Sequence, residues 1–216
     1  MKQWAVAVFV AFILPRAWAA SDSPLPPLHK PAQVRLFVNA GTAGRPEIRQ
    51  AADLLQSTLC LPVSVQRVEY DPALYFNPER RQIDSDPVLS DTQARFSDTP
   101  AVNILFLDED LYSAGVPWRY VFASSIFAME SGQGWSVISL ARTANILRPT
   151  EAERGADWLY KLSLRIVVRA AGFDGQKGCL LDFPNSPEAL DRLPRTFCPD
   201  HERALVEAGI IGCLGV

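Results

Sequence analysis

The chain alternates short apolar runs with longer stretches in which apolar residues recur at helical spacing. Residues 34–38 form a strand-like apolar run that ends in Asn39-Ala40-Gly41, which is turn chemistry. In residues 46–59, Ile48, Ala52, Leu55 and Leu59 recur at helical spacing, and Pro46 stands where a first-turn proline is tolerated. Residues 62–68 alternate Val63 and Val65 with Ser64 and Gln66, the pattern of a half-buried strand. Strand, helix, strand in that order predicts an α/β or α+β sheet rather than a helical bundle. Residues 102–107 read as a strongly apolar strand, and residues 120–123 and 135–140 as two more, separated by the Gly132-Gln133-Gly134 turn. Residues 71–100 are polar, proline-marked and without a sustained period, so they are expected to form a long surface loop.

The longest helix is predicted over residues 151–171. Thr150 and Glu153 have capping-box spacing, and Glu151 and Glu153 place negative charge where a helix N-terminus favours it. Leu159, Leu162, Ile166 and Ala170 fall on one face, and Gly172 is placed to end the helix. Lys161, Arg165 and Arg169 follow one another at spacings of four on another face, which reads as a solvated charged surface.

The first residues change the setting. Met1-Lys2 is a short positive start, residues 4–14 are an unbroken apolar run, and Ala17-Trp18-Ala19 supplies the small residues of a cleavage site. Residues 1–19 are therefore expected to be a signal peptide, and its apolar run falls well short of the roughly 20 residues that span a bilayer. Pro24, Pro26, Pro27 and Pro31 make residues 20–33 a proline-rich linker that contains His29, leaving residues 34–216 as a single domain. An exported protein, periplasmic or extracellular, with no transmembrane segment after cleavage is the expectation.

Composition narrows the chemistry. At 48% hydrophobic and 21% charged residues the chain has enough apolar material for one core. Its formal net charge of −3 argues against a nucleic-acid partner. The acidic run Asp108-Glu109-Asp110 reads as a solvated loop end, with a cation such as calcium as the alternative. Only two histidines occur, His29 and His201, so a three-histidine zinc site cannot be built. Neither a G-x-S-x-G elbow nor a phosphate-binding or dinucleotide fingerprint is present. Four cysteines in an oxidising compartment favour disulfides, and their spacing alone does not choose the pairing.

From Arg81 onward the chain resembles the archaemetzincin family of metzincin-type zinc metallopeptidases. The matching stretches are Arg81-Gln82 with Ser85 and Leu89, Asp110-Leu111-Tyr112, Tyr120-Val121-Phe122 and Ser139-Leu140-Ala141-Arg142. The helix ending at Gly172 follows, then Cys179-Leu180-Leu181-Asp182-Phe183 with Asn185-Ser186, and Phe197-Cys198-Pro199. The resemblance implies an α+β fold with a zincin-like mixed sheet, an N-terminal helix, a long former active-site helix and a small C-terminal subdomain.

The family motif H-E-x-x-H-x-x-G-x-x-H puts two zinc-binding histidines on one helical face with the general-base glutamate beside the first. Aligned on Gly172, the histidine positions fall on Arg165, Arg169 and Gly175, the glutamate on Ile166, and the methionine beneath the metal on Leu181. A guanidinium offers no lone pair to a metal, so the resemblance implies a divergent, catalytically inactive member, whose Arg165 and Arg169 line a retained cleft that serves as scaffold or as a peptide- or anion-binding surface. An active zinc peptidase with non-standard ligands is the alternative. The family's second, four-cysteine zinc site falls on Gln176 or a neighbour, Cys179, Cys198 and His201. The resemblance thus implies either a Cys179–Cys198 disulfide with no cofactor, the favoured reading, or a structural zinc held by Cys179, Cys198 and His201 with a fourth donor from Asp200, Asp182 or water. Cys60 and Cys213 then remain for a further bridge.

Overall fold

In the computed structural model, described for residues 28–97, 100–142, 149–173 and 178–213, two sheets and five α-helices are present among those residues. The signal-peptide reading, most of the linker and Gly175 lie outside them. The strands are β1 (Gln33–Val38), β2 (Val63–Arg67), β3 (Phe76–Asn77), β4 (Gln82–Asp84), β5 (Ala101–Leu107), β6 (Leu111–Tyr112), β7 (Ala123–Ala128) and β8 (Gln133–Ser139). The helices are α1 (Pro46–Thr58), α2 (Ser85–Arg95), α3 (Pro149–Ala170), α4 (Pro187–Arg192) and α5 (Pro199–Glu207). The main sheet has the order β2-β1-β5-β8-β7, parallel except for the antiparallel edge strand β7. A small sheet, β3-β4-β6, sits beside it.

Strand alternation sorts the core into two layers. Val34, Leu36, Val38, Val102, Ile104, Phe106 and Ile138 face α1 and α3, while Phe37, Leu105, Leu107 and Val137 face α2. Polar residues at one register cross the sheet between them. Arg35 pairs with Asn103, and Asn103 with Trp135, across neighbouring strands. All three donate to the Phe96 carbonyl at the end of α2, at 3.2–3.3 Å, and Arg35 Nε also donates to Asn103 Oδ1 at 2.8 Å. This ladder fixes where α2 stops and satisfies groups that would be costly to bury alone.

The expected loop over residues 71–100 is thus corrected: it contains β3, β4 and the eleven-residue α2. Asp84 caps α2 by accepting from the Asp86 N–H at 3.1 Å, and Ser85, Val88, Leu89 and Thr92 form its buried face. Two of those four are polar, which is why no apolar period showed.

α3 begins at Pro149, ahead of the expected start, and ends as expected at Gly172, whose φ of 117° is open to glycine. Its approach to the sheet depends on Gly134 of β8, where an added Cβ would lie 3.1 Å from the Ala170 Cβ. The expectation of a solvated Lys161, Arg165, Arg169 face is overturned. Lys161 and Arg165 are 3% and 8% exposed, because the C-terminal segment packs over that side of the helix. The Lys161 ammonium lies 2.7 Å from Asp157 and donates to the carbonyls of Leu190 and Asp191, both at 3.3 Å, at the end of α4. Asp157 also pairs with Arg195, and Asp191 accepts from Arg154 and, at 2.7 Å, from Trp158 Nε1.

The chain's last described residues return to α1. Cys60 and Cys213 form a disulfide across a sequence separation of 153, beside the Cys60 N–H to Ile210 carbonyl bond of 2.7 Å. No helix among the described residues is long and apolar enough to cross a membrane.

Two predictions follow from these ties. Closing a loop of this length is worth roughly 5 kcal/mol in the chain-entropy model, so the C60S/C213S double variant should lose several kcal/mol in urea unfolding; a midpoint equal to the parent's would show the tie to be redundant. The second concerns Asp191, whose carboxyl is held below its usual range by the hydrogen bond from Arg154 and then by Trp158. A depressed folded value means the stabilisation is complete above the unfolded-state pKa of about 3.9 and fades as the pH falls through the folded value. Asp191→Asn should therefore cost about 1–2 kcal/mol at neutral pH, discounted for its partial exposure, with the gap closing in acid; a gap independent of pH would remove the charge from the account.

Candidate functional site

Two groups of residues carry chemistry, one on α3 and one where the chain turns out of it. On α3, Ile166 is buried in the core, Arg165 is nearly so, and Arg169 is half-buried. The Arg165 guanidinium lies over the Phe183 ring at 5.3 Å, and the Arg169 guanidinium over Phe127 of β7 at the same distance. Phe183 in turn meets Trp118, with ring centroids 5.4 Å apart, and these two rings are 48% and 49% exposed. Leu181 is fully buried beneath the turn. Both carboxylate oxygens of Asp182 accept backbone N–H groups of their own turn, from Gly178 at 3.2 Å and Phe183 at 2.8 Å.

The aromatic wall around α3 was not visible in the sequence. Tyr120 and Phe122 meet edge to face at 5.4 Å, Phe122 reaches Trp158 at 6.4 Å, and Arg142 covers Tyr120 at 3.4 Å. The i, i+2 spacing of Trp118, Tyr120 and Phe122 was the available signal, since an extended segment puts all three on one side.

The acidic run divides between different partners. Asp108 pairs with Arg45 at 3.2 Å, and Asp110 pairs with Arg142 at 2.6 Å while accepting from Gln82 at 3.0 Å. The parallel register Leu107 to Ser139 places Asp110 and Arg142 equally far beyond their strands, so the pair follows from the sheet. Burial raises the carboxyl pKa of Asp108, against the pull of Arg45, and raises that of Glu109. Among the described residues this run is not one of the groups arranged to hold a metal. A depression of about 530 Å³ lies on the small sheet, between residues 74–79 and Asp84, Pro87 and Tyr112; it shares no lining residue with α3.

The second group is the one metal-competent set among the described residues: Cys179, Cys198 and His201. Gly172 reverses the chain after α3, and the Leu180 N–H to Thr196 carbonyl bond of 3.0 Å draws residue 179 toward residue 198. Cys198 is the N-cap of α5, and His201 follows in its first turn, packed against Phe173 at 4.7 Å. One donor atom from each residue lies within 4.8 Å of the others.

The favoured Cys179–Cys198 disulfide is not what the structure holds. Both residues are thiols, joined by a hydrogen bond, whereas the further bridge expected between Cys60 and Cys213 is present. Burial, then the Cys179 thiol, pushes the Cys198 thiol up to about 11. Burial also lowers the His201 pKa, which keeps its imidazole neutral, and its Nδ1 is buried without a hydrogen-bond partner among the described residues. Two thiols and an orphaned neutral imidazole fit zinc: bond lengths of 2.3 and 2.0–2.1 Å set donors roughly 3.6 Å apart in a tetrahedron. His29, the other histidine, is exposed, and its backbone N–H donates to the Ala171 carbonyl at 3.0 Å.

No protein-family model matches the chain, and no curated protein matches it. Solved structures do. An archaemetzincin from Archaeoglobus fulgidus, complexed with malonate, matches with a TM-score of 0.63 at 18% identity, over 80% of this chain and 99% of that one. A zinc-dependent peptidase from Methanocorpusculum labreanum matches with a TM-score of 0.60 at 20% identity, over 80% of this chain and 99% of that one. An archaemetzincin from Methanopyrus kandleri matches with a TM-score of 0.59 at 18% identity, over 81% and 94%. The mixed sheet and helices described above are therefore an archaemetzincin-like fold, nearly complete with respect to those chains.

Proposed function

We propose that this chain is an exported, non-catalytic protein on a metallopeptidase-like fold, and that the surface beside α3 binds a peptide or protein partner through a carboxylate. One observation carries the reading: Arg165, Ile166 and Arg169 occupy the helical positions that the resemblance assigns to two zinc-binding histidines and a general base. Guanidinium groups stay protonated and coordinate no metal, and an isoleucine moves no proton. A catalytic zinc does not fit these residues, so no hydrolytic step is derived through one at α3. Positive charge at that position suits a carboxylate, and the exposed Trp118 and Phe183 beside Arg165 offer an apolar contact next to it. The leader-like first residues and the Cys60–Cys213 disulfide support export.

The second reading, a zinc peptidase with non-standard ligands, rests on the Cys179, Cys198 and His201 donors. The two readings differ in turnover. Protein beginning at Ala20, supplied with zinc, should leave a peptide library intact by mass spectrometry; hydrolysis abolished by a chelator would establish the second reading. Peptides with a free C-terminal carboxylate should bind the same protein, and their amides about tenfold more weakly. Affinity unchanged in the R165Q/R169Q variant would take the arginines out of the proposal.

A further inference from the structure

The depression on the small sheet has rings and acids in its wall and no cation among its lining residues. Register builds its floor. Asp84 of β4 lies opposite Tyr112 of β6, and Asn77 of β3 lies opposite Gln82, so Asn77, Asp84 and Tyr112 share one face. Asn77 Nδ2 donates to the Tyr112 hydroxyl at 3.1 Å, and that hydroxyl donates to Asp84 Oδ2 at 3.0 Å. Asn77 Oδ1 accepts the N–H groups of Glu79 and Arg80, at 3.0 and 3.1 Å, which fixes the turn that carries both side chains. Tyr75 stacks on Tyr70 with ring centroids 6.2 Å apart, so the aromatic wall is braced from behind.

Charge then distinguishes the occupants. Glu79 and Asp84 both line the depression, and neither makes an ion pair among the described residues. The guanidinium of Arg80, an exposed residue, lies over the Tyr112 ring at 4.6 Å and also has no carboxylate partner among those residues. The chain's own cation thus marks what this ring face accepts. A single guanidinium fills only a small part of about 530 Å³, and Leu74 and Phe76, 72% and 48% exposed, add apolar surface to the wall.

We propose that this depression binds an arginine side chain of a partner peptide, its guanidinium taking the place of that of Arg80 over Tyr112, beside Glu79 and Asp84. Apolar residues flanking that arginine rest on Leu74 and Phe76. Two carboxylates without ion pairs next to an aromatic face suit a planar cation, because a guanidinium stacks and donates to a carboxylate at once, whereas an ammonium is a compact, strongly hydrated charge. The depression shares no lining residue with α3, so the inference stands whether or not the surface there binds a carboxylate.

The tripeptide Ac-Leu-Arg-Leu-NH2 has blocked ends and brings no carboxylate to Arg165 or Arg169. Titrated into nitrogen-15-labelled protein beginning at Ala20, it should shift the amide signals of residues 74–80 and 112 saturably. Its citrulline counterpart, of the same shape but uncharged, should bind about tenfold more weakly. Glu79→Gln should weaken binding about threefold, and Arg80→Gln should strengthen it about twofold by removing the competing cation. Both positions are exposed, which keeps loss of the fold out of the comparison. Glu207→Gln, at an exposed acid that ends α5, should leave the affinity as it is. Equal affinity for the citrulline peptide, shifts centred away from residues 74–80, or a Glu207→Gln effect as large as that of Glu79→Gln would overturn the site. Weaker binding in Arg80→Gln would overturn the exchange of one guanidinium for the other.

Discussion

Burial of α3 is the constraint on which the C-terminal half of the molecule depends. From residue 155 to residue 171 only Asp157 and Arg169 escape full burial. A helix enclosed by a sheet on one side and by chain on the others cannot leave an ammonium unanswered, because an unpaired buried charge costs several kcal/mol. Lys161 therefore dictates what packs over it: a carboxylate one turn earlier, Asp157, and the carbonyl end of α4, whose dipole is negative there. Arg154 and Trp158, on the same face, draw Asp191 into that contact. The short α4 has little helical stability of its own, and its place is set by these α3 groups and by the buried Leu190.

The same packing positions the donor cluster. Cys179 lies on the turn that leaves α3, and Cys198 and His201 lie at the start of α5, which is anchored by Leu205 and by the Phe173 ring. Beyond α5 the chain meets α1 again through the Cys60–Cys213 bridge and the Leu59–Ile211 pairing. The C-terminal segment is thus held by one covalent tie to the chain leaving α1 and by the polar contacts of α4 with α3.

Features with a strong period were legible in the sequence. The strands at Val34, Val102 and Trp135, α1, and the stop of α3 at Gly172 all appeared where apolar spacing or backbone freedom placed them. α2 escaped because Ser85 and Thr92 fill half of its buried face and their hydroxyls make its contacts, as Thr92 does to the Val88 carbonyl at 2.8 Å. The charged side of α3 was misread for a related reason: spacing reveals which residues share a face, and only tertiary contacts reveal what covers it. The cysteine pairing was open for the same cause, since Cys60 and Cys213 become neighbours through the fold alone.

The two groups around α3 differ in what their chemistry leaves possible. Two neutral imidazoles on Zn²⁺ carry a charge of +2, and the two guanidinium groups of Arg165 and Arg169 carry the same charge on the same helical face. That charge is partly answered by the faces of Phe183 and Phe127. At residues 179, 198 and 201 the balance is reversed. There the donor atoms have lone pairs that suit a soft metal, and they carry no fixed positive charge. Residues 165 and 169 thus hold fixed charge without metal donors, and residues 179, 198 and 201 hold donors without fixed positive charge.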